Sequence, residues 1–115
     1  LDKHNARRRA IATQYNNKLH GVVEIPVQNI NNTHVYHQYV IKHEKINNIE
    51  EFLLSKGIQS RRYYPTPLHK TETYKDKNSY PNAEYCSSSA LAIPVHQYLT
   101  DGEVSSIIKA IKEAI

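Results

Sequence analysis

The residues best suited to chemistry are gathered in one short stretch, Arg61-Arg62-Tyr63-Tyr64-Pro65-Thr66-Pro67-Leu68-His69. It sets two guanidinium groups beside two phenols, follows them with prolines that fix φ, and ends on an imidazole able to donate a proton. Cations next to aromatics can hold a phosphate, stack on a base or cover the end of a sheet, and Arg61 to Tyr64 alone do not choose among these. The continuation sets the segment apart. Rigid prolines would hold the phenols of Tyr63 and Tyr64, with His69 close behind, on a fixed wall, so this stretch ranks first as a ligand contact.

Other chemistry-bearing residues carry less. His34 and His37 stand three apart in what reads as a strand, where such neighbours point to opposite faces and do not converge on one ion. No metal site is expected. Cys86 is the only cysteine, so neither an internal disulfide nor a four-cysteine zinc site can form. His69 or His96 could in principle serve it as a base, but Ser87-Ser88-Ser89 beside it offer nothing to depress the thiol pKa, and a small half-buried residue is expected. An RNA-recognition sheet needs aromatic, glycine-rich strands, which a chain with one Phe and three Gly does not supply. The net charge of +4 is also short of a nucleic-acid-binding arm, so no nucleic-acid partner is expected.

The elements that must position these residues follow from periodicity. Ala10, Ile11, Tyr15 and Leu19 recur at helical spacing between Arg7, Arg8, Arg9, Asn16 and Lys18, which predicts an amphipathic helix ended by Gly21. Val22-Val23-Glu24-Ile25 predicts a short strand stopped by Pro26, and Gln28 to Thr33 a polar loop. From His34 to His43, Val35, His37, Tyr39 and Ile41 alternate with Tyr36, Gln38, Val40 and Lys42, as in a central strand. Ile46, Ile49, Phe52 and Leu53 predict a helix that stops at Lys56-Gly57, and Gln59 to Tyr64 a short strand. His69 to Lys77 and Pro81 to Ser89 are further helical candidates, and Leu91 to Pro94 reads as the last strand. Thr100 and Glu103 form a capping box ahead of Val104, Ile107, Ile108, Ile111 and Ile115, which makes the final helix the clearest element.

Helices and strands in this order fit an α/β class domain of α+β character, a small, mainly antiparallel sheet covered by helices. The 115 residues, 39% hydrophobic and 23% charged, match one soluble globular domain with a single core. No window approaches the ~20 apolar residues of a membrane span, and the first residues lack the apolar stretch of a signal peptide. With a lone cysteine, these features give a cytoplasmic expectation and no membrane partner. The sequence has no Met and opens on Leu1 inside a helical pattern, so it reads as a piece of a longer chain. Architecture alone leaves function open, and a stand-alone ligand-binding or protein-interaction module of α+β build is one reading.

A second reading comes from similarity. Lys56-Gly57-Ile58-Gln59-Ser60-Arg61-Arg62-Tyr63-Tyr64-Pro65-Thr66-Pro67-Leu68-His69 closely resembles a segment of the DegT-type sugar aminotransferases. Asn5 to Asn16 resembles that family's helix after the large domain, and His34 to Ile41 its central small-domain strand. Pro81-Asn82-Ala83-Glu84, Leu91 to His96 and Thr100 to Val104 follow in the family's order, so the resemblance covers nearly the whole chain. It departs at Tyr63, where many relatives carry His, and at Ile46, Ala92 and Gln97, where Arg, Ser and Pro are usual.

The resemblance implies that residues 1–115 form the C-terminal small domain of a fold-type-I, pyridoxal-phosphate-dependent homodimer. Such an enzyme moves an amino group, usually from glutamate, to a keto group of a nucleotide-linked sugar, as in polysaccharide biosynthesis. The catalytic lysine, the aspartate under the pyridine nitrogen and most phosphate ligands of that family belong to its large domain. No catalytic residue is therefore expected among these residues, and the piece alone should neither turn over nor dimerise tightly. The substrate side carries over: Tyr63, Tyr64 and His69 are implied to bind the sugar substrate. Loss of interdomain contacts would leave apolar side chains such as Tyr15, Tyr36 and Ile30 exposed.

Overall fold

The computed structural model describes residues 1–115. Helix α1 (Asp2–Leu19) buries Ile11, Ala12, Tyr15 and Leu19 along one stripe, with Asp2 in its first turn and Lys18 in its last to complement the helix dipole. Ala10 lies outside that stripe and is exposed. The chain leaves the helix through Gly21, whose φ of +80° suits a residue without a Cβ.

Strand β1 (Tyr39–Lys42) pairs antiparallel with β2 (Ala90–Ile93), Tyr39 facing Ile93 and Lys42 facing Ala90. Each of these strands gains one further backbone partner on its outer side. Glu24 and Lys42 exchange hydrogen bonds of 2.9 and 3.0 Å, and Arg61 and Ala92 exchange bonds of 3.1 and 2.8 Å. The strands expected over Val22 to Ile25 and Gln59 to Tyr64 thus shrink to isolated bridges, at Val23 and Glu24 in the first and at Arg61 in the second. Pro26 and Pro65 follow both segments closely and supply no N–H for a longer ladder.

The strand expected from His34 to His43 is also shorter than its alternation suggests. Tyr36 adopts φ +54°, a left-handed conformation that breaks the pleat, and its ring stacks on His34 at 4.0 Å. The carbonyls of Tyr36 and His37 face the Arg8 guanidinium at 3.2 Å each instead of a neighbouring strand. Only from Tyr39 onward does the backbone find a β partner.

Helix α2 (Ile46–Ser55) buries Ile46, Ile49 and Leu53 and ends before Gly57, at φ +74°. Ile46 is a core residue. The helix expected over His69 to Lys77 is reduced to a 3-10 turn at Leu68–Lys70. There Thr71 Oγ1 turns back onto the Leu68 carbonyl (2.7 Å), and the Asp76 N–H reaches the His69 carbonyl (2.9 Å). Helix α3 (Pro81–Ser89) starts on a proline in its first turn, and α4 (Asp101–Glu113) has the expected box, with Glu103 N–H donating to Thr100 Oγ1 and Thr100 N–H to Glu103 Oε1. α4 packs on α1 and α2, while α3 packs on both strands.

One core of 20 side chains joins these layers. Tyr15 and Tyr36 belong to it, contrary to the exposure expected of them, because both rings pack against that of Tyr39; Ile30 is exposed as expected. Tyr15 donates to the Pro94 carbonyl (2.6 Å) and Tyr39 to Asn16 Oδ1 (2.6 Å), so both buried phenols have acceptors. Burial pushes the pKa of both above the ordinary tyrosine value, which keeps them neutral donors.

Two outcomes follow. Tyr15→Phe keeps the ring and removes its hydrogen bond, and should cost about 1 kcal/mol in chemical denaturation. At the start of α4, hydrogen bonds from Gln14 and Arg7 hold the Asp101 carboxyl below its usual pKa, and the Thr100 N–H does the same for Glu103. A depressed carboxylate pKa stabilises the fold above its unfolded value and loses that contribution as pH falls through the folded one. Thermal scans should therefore show the midpoint falling as pH drops below about 4. Asp101→Asn should be less stable than the parent near neutrality and show a shallower acid limb.

Candidate functional site

An open groove of about 1460 Å3 lies beside β2. One wall is the end of β2 and the start of α4, from Ala92 to Ile107; the other is the end of α2 with Gly57 to Tyr63, and His37 and Gln38 close it beside β1. The groove exists because Arg61 is bonded edge-on to Ala92, which brings the segment after α2 alongside β2. Its polar lining includes Gln38, Gln59, His96 and Glu50, which the sequence reading did not single out as ligand contacts. They come from separate elements, and no local spacing announces them.

In extended backbone, side chains alternate, and Arg61 and Arg62 diverge accordingly. Arg62 donates to Asn47 Oδ1 (2.9 Å) and the Ser87 carbonyl (2.7 Å), tying α2 to α3, while its Nε is buried without a partner. The Arg61 guanidinium lies 5.9 Å from the centre of the Tyr63 ring and is exposed. Tyr63 meets Tyr64 edge to face at 5.7 Å across a cis peptide, with the two residues 40% and 74% exposed. These phenols are free to meet a ligand.

His69 does not join them. It is 8% exposed, its ring lies 4.7 Å from that of Tyr80, and its Nε2 stands 3.3 Å from Glu84 Oε1. Lys70 Nζ, at 3.2 Å, and His69 together hold the Glu84 carboxyl below its usual pKa, with Lys70 the larger cause. Tyr80 donates to Asp76 at 2.7 Å. The structure thus brings Tyr63 and Tyr64 together near the groove and uses His69 to fasten the turn behind them to α3. Only Tyr63 of the three lines the groove. Cys86 is exposed, not half-buried as expected.

The cofactor implied by the resemblance needs an amine to hold it covalently and an anion cradle for its phosphate. No lysine lines the groove, so these residues by themselves do not fit pyridoxal phosphate.

Known proteins agree with this architecture. The chain is 27% identical to dTDP-3-amino-3,6-dideoxy-alpha-D-galactopyranose transaminase of Aneurinibacillus thermoaerophilus, covering 96% of this chain and 31% of that one. It is 30% identical to dTDP-4-dehydro-2,3,6-trideoxy-D-glucose 4-aminotransferase of Saccharopolyspora spinosa, covering 95% and 29% respectively. Among solved structures it superposes on S. venezuelae DesV, studied with a ketimine intermediate, with a TM-score of 0.92 at 27% identity, over 97% of this chain and 32% of that one. Spr1654 of Streptococcus pneumoniae, solved in a PMP form, gives a TM-score of 0.80 at 26% identity, over 96% of this chain and 30% of that one. The chain therefore spans about a third of the length of the relatives it matches. Residues 1–112 match the DegT/DnrJ/EryC1/StrS aminotransferase family, and the chain belongs to it.

Proposed function

We propose that residues 1–115 are the C-terminal, substrate-side small domain of a pyridoxal-phosphate-dependent aminotransferase acting on a nucleotide-linked keto sugar. The observation that carries this reading is the family match across the chain, at one third of the relatives' length, together with a groove bordered by Tyr63 and free of lysine. Pyridoxal phosphate would supply the carrier for an amino group moving from a donor such as glutamate to the sugar. The lysine and the phosphate cradle that hold the cofactor belong to the rest of the enzyme, a homodimer in this reading, and residues 1–115 alone are inactive.

This chain's own residues bind and orient the sugar. The phenols of Tyr63 and Tyr64 donate to a sugar hydroxyl or keto oxygen, and their rings cover the pyranose and exclude water. Pro65 and Pro67 limit how far the phenols can shift. His69 supports them from below through Glu84, so it contributes to substrate binding by positioning the turn.

In the enzyme that carries this chain, Tyr63→Phe and Tyr64→Phe should each lower kcat/KM for the keto-sugar nucleotide by about 2- to 13-fold, the worth of one neutral hydrogen bond. The absorbance of the bound cofactor should not change. His69→Ala should instead lower thermal stability along with kcat/KM. Steady-state kinetics and cofactor spectra check all three variants; wild-type kcat/KM in both phenylalanine variants would contradict the assignment.

A further inference from the structure

Both substrates of the proposed reaction are anions: a nucleotide-linked sugar carries a diphosphate, and an amino donor such as glutamate carries carboxylates. A groove that serves them needs a cation with unused donors. His37, His96, Arg61 and Arg62 are the groove's basic side chains, and Arg62 is engaged by Asn47 and Ser87. Arg61 differs. Its guanidinium has no carboxylate within ion-pairing distance and makes no side-chain hydrogen bond, although Glu50 and Glu103 also line the groove. Glu103 is occupied by the Thr100 N–H.

The backbone beneath Arg61 is fixed by the paired bonds to Ala92, and the Tyr63 ring lies under its guanidinium at 5.9 Å. A guanidinium held at cation–π distance over a ring still presents its N–H edge for two parallel bonds to an oxyanion. An arginine used only as a solubilising surface charge would need neither the pinned backbone nor the ring. Resting on the function proposed above, we propose that Arg61 is a binding and specificity residue at the groove mouth. It takes an oxyanion of one of the two substrates, the diphosphate of the nucleotide sugar or a carboxylate of the amino donor.

The test uses the whole enzyme and two probes, a nucleoside diphosphate (dTDP or UDP) and glutarate, which has the carboxylates of glutamate without its amine. Titration calorimetry should show Arg61→Gln weakening one probe by roughly 10-fold or more, the effect of losing a charge-assisted contact, with Arg61→Lys intermediate. Weakening of the diphosphate alone assigns Arg61 to the nucleotide sugar, and weakening of glutarate alone assigns it to the donor; KM for the corresponding substrate should rise while kcat stays within about 2-fold. Arg61→Met, which keeps the aliphatic stem over Tyr63, should reproduce the loss even if the glutamine variant folds poorly. Unchanged affinity for both probes, or equal weakening of both together with a lower thermal midpoint, overturns the proposal. An enzyme that transaminates no keto-sugar nucleotide overturns the functional reading instead, and leaves the probe titrations to decide the role of Arg61.

Discussion

The Arg8 guanidinium gathers the carbonyls of Tyr36, His37 and Val95, at 3.2, 3.2 and 3.0 Å, and reaches Gln97 Oε1 at 3.4 Å. Those acceptors lie just before β1 and just after β2, at the end where the two-stranded ladder runs out of partners. A sheet this narrow leaves many backbone groups unpaired, and buried carbonyls without donors are costly. Arg8 supplies several of the missing donors from one side chain, and its charge strengthens each bond. It also holds Tyr36 in its left-handed conformation from the carbonyl side.

Neighbouring residues of α1 extend the same seam. Arg7 donates to the Leu99 carbonyl at 2.6 Å and to Asp101 at 2.9 Å, Gln14 donates to Asp101, and Tyr15 donates to Pro94. One helix thus fixes the exit of β2 and the entry of α4, which together make one wall of the groove. The opposite wall depends on β2 through the Arg61–Ala92 pair. The placement of Arg61, and hence of the Tyr63 and Tyr64 rings, follows from how firmly α1 holds that sheet.

What the sequence revealed follows the range of the physics involved. The Thr100–Glu103 box, the Ile46/Ile49/Leu53 stripe and the opening proline of α3 are local signals, and each produced the expected helix. Alternation from His34 to His43 was misleading because the backbone there bonds to an arginine some 28 residues away in sequence, which no period-two pattern encodes. Arg7, Arg8 and Asn16 read as the polar face of an amphipathic helix, whereas they form the latch to the sheet and α4. At the site, Tyr63 and Tyr64 were legible as exposed phenols on a rigid turn. The burial of His69 against Tyr80 and Glu84 was not, since that contact depends on how the segment between the 3-10 turn and α3 folds back.

If α1 holds the groove through Arg8, removing that side chain should loosen the sheet before it loosens the rest of the core. Native-state hydrogen exchange on Arg8→Ala tests this most directly. The amides of Arg61 and Ala92, bonded to each other across the sheet edge, should lose protection by roughly 10-fold or more, while the Leu53 amide in α2 changes far less. Protection equal to the parent at Arg61 and Ala92, or the same loss at Leu53, would contradict the account.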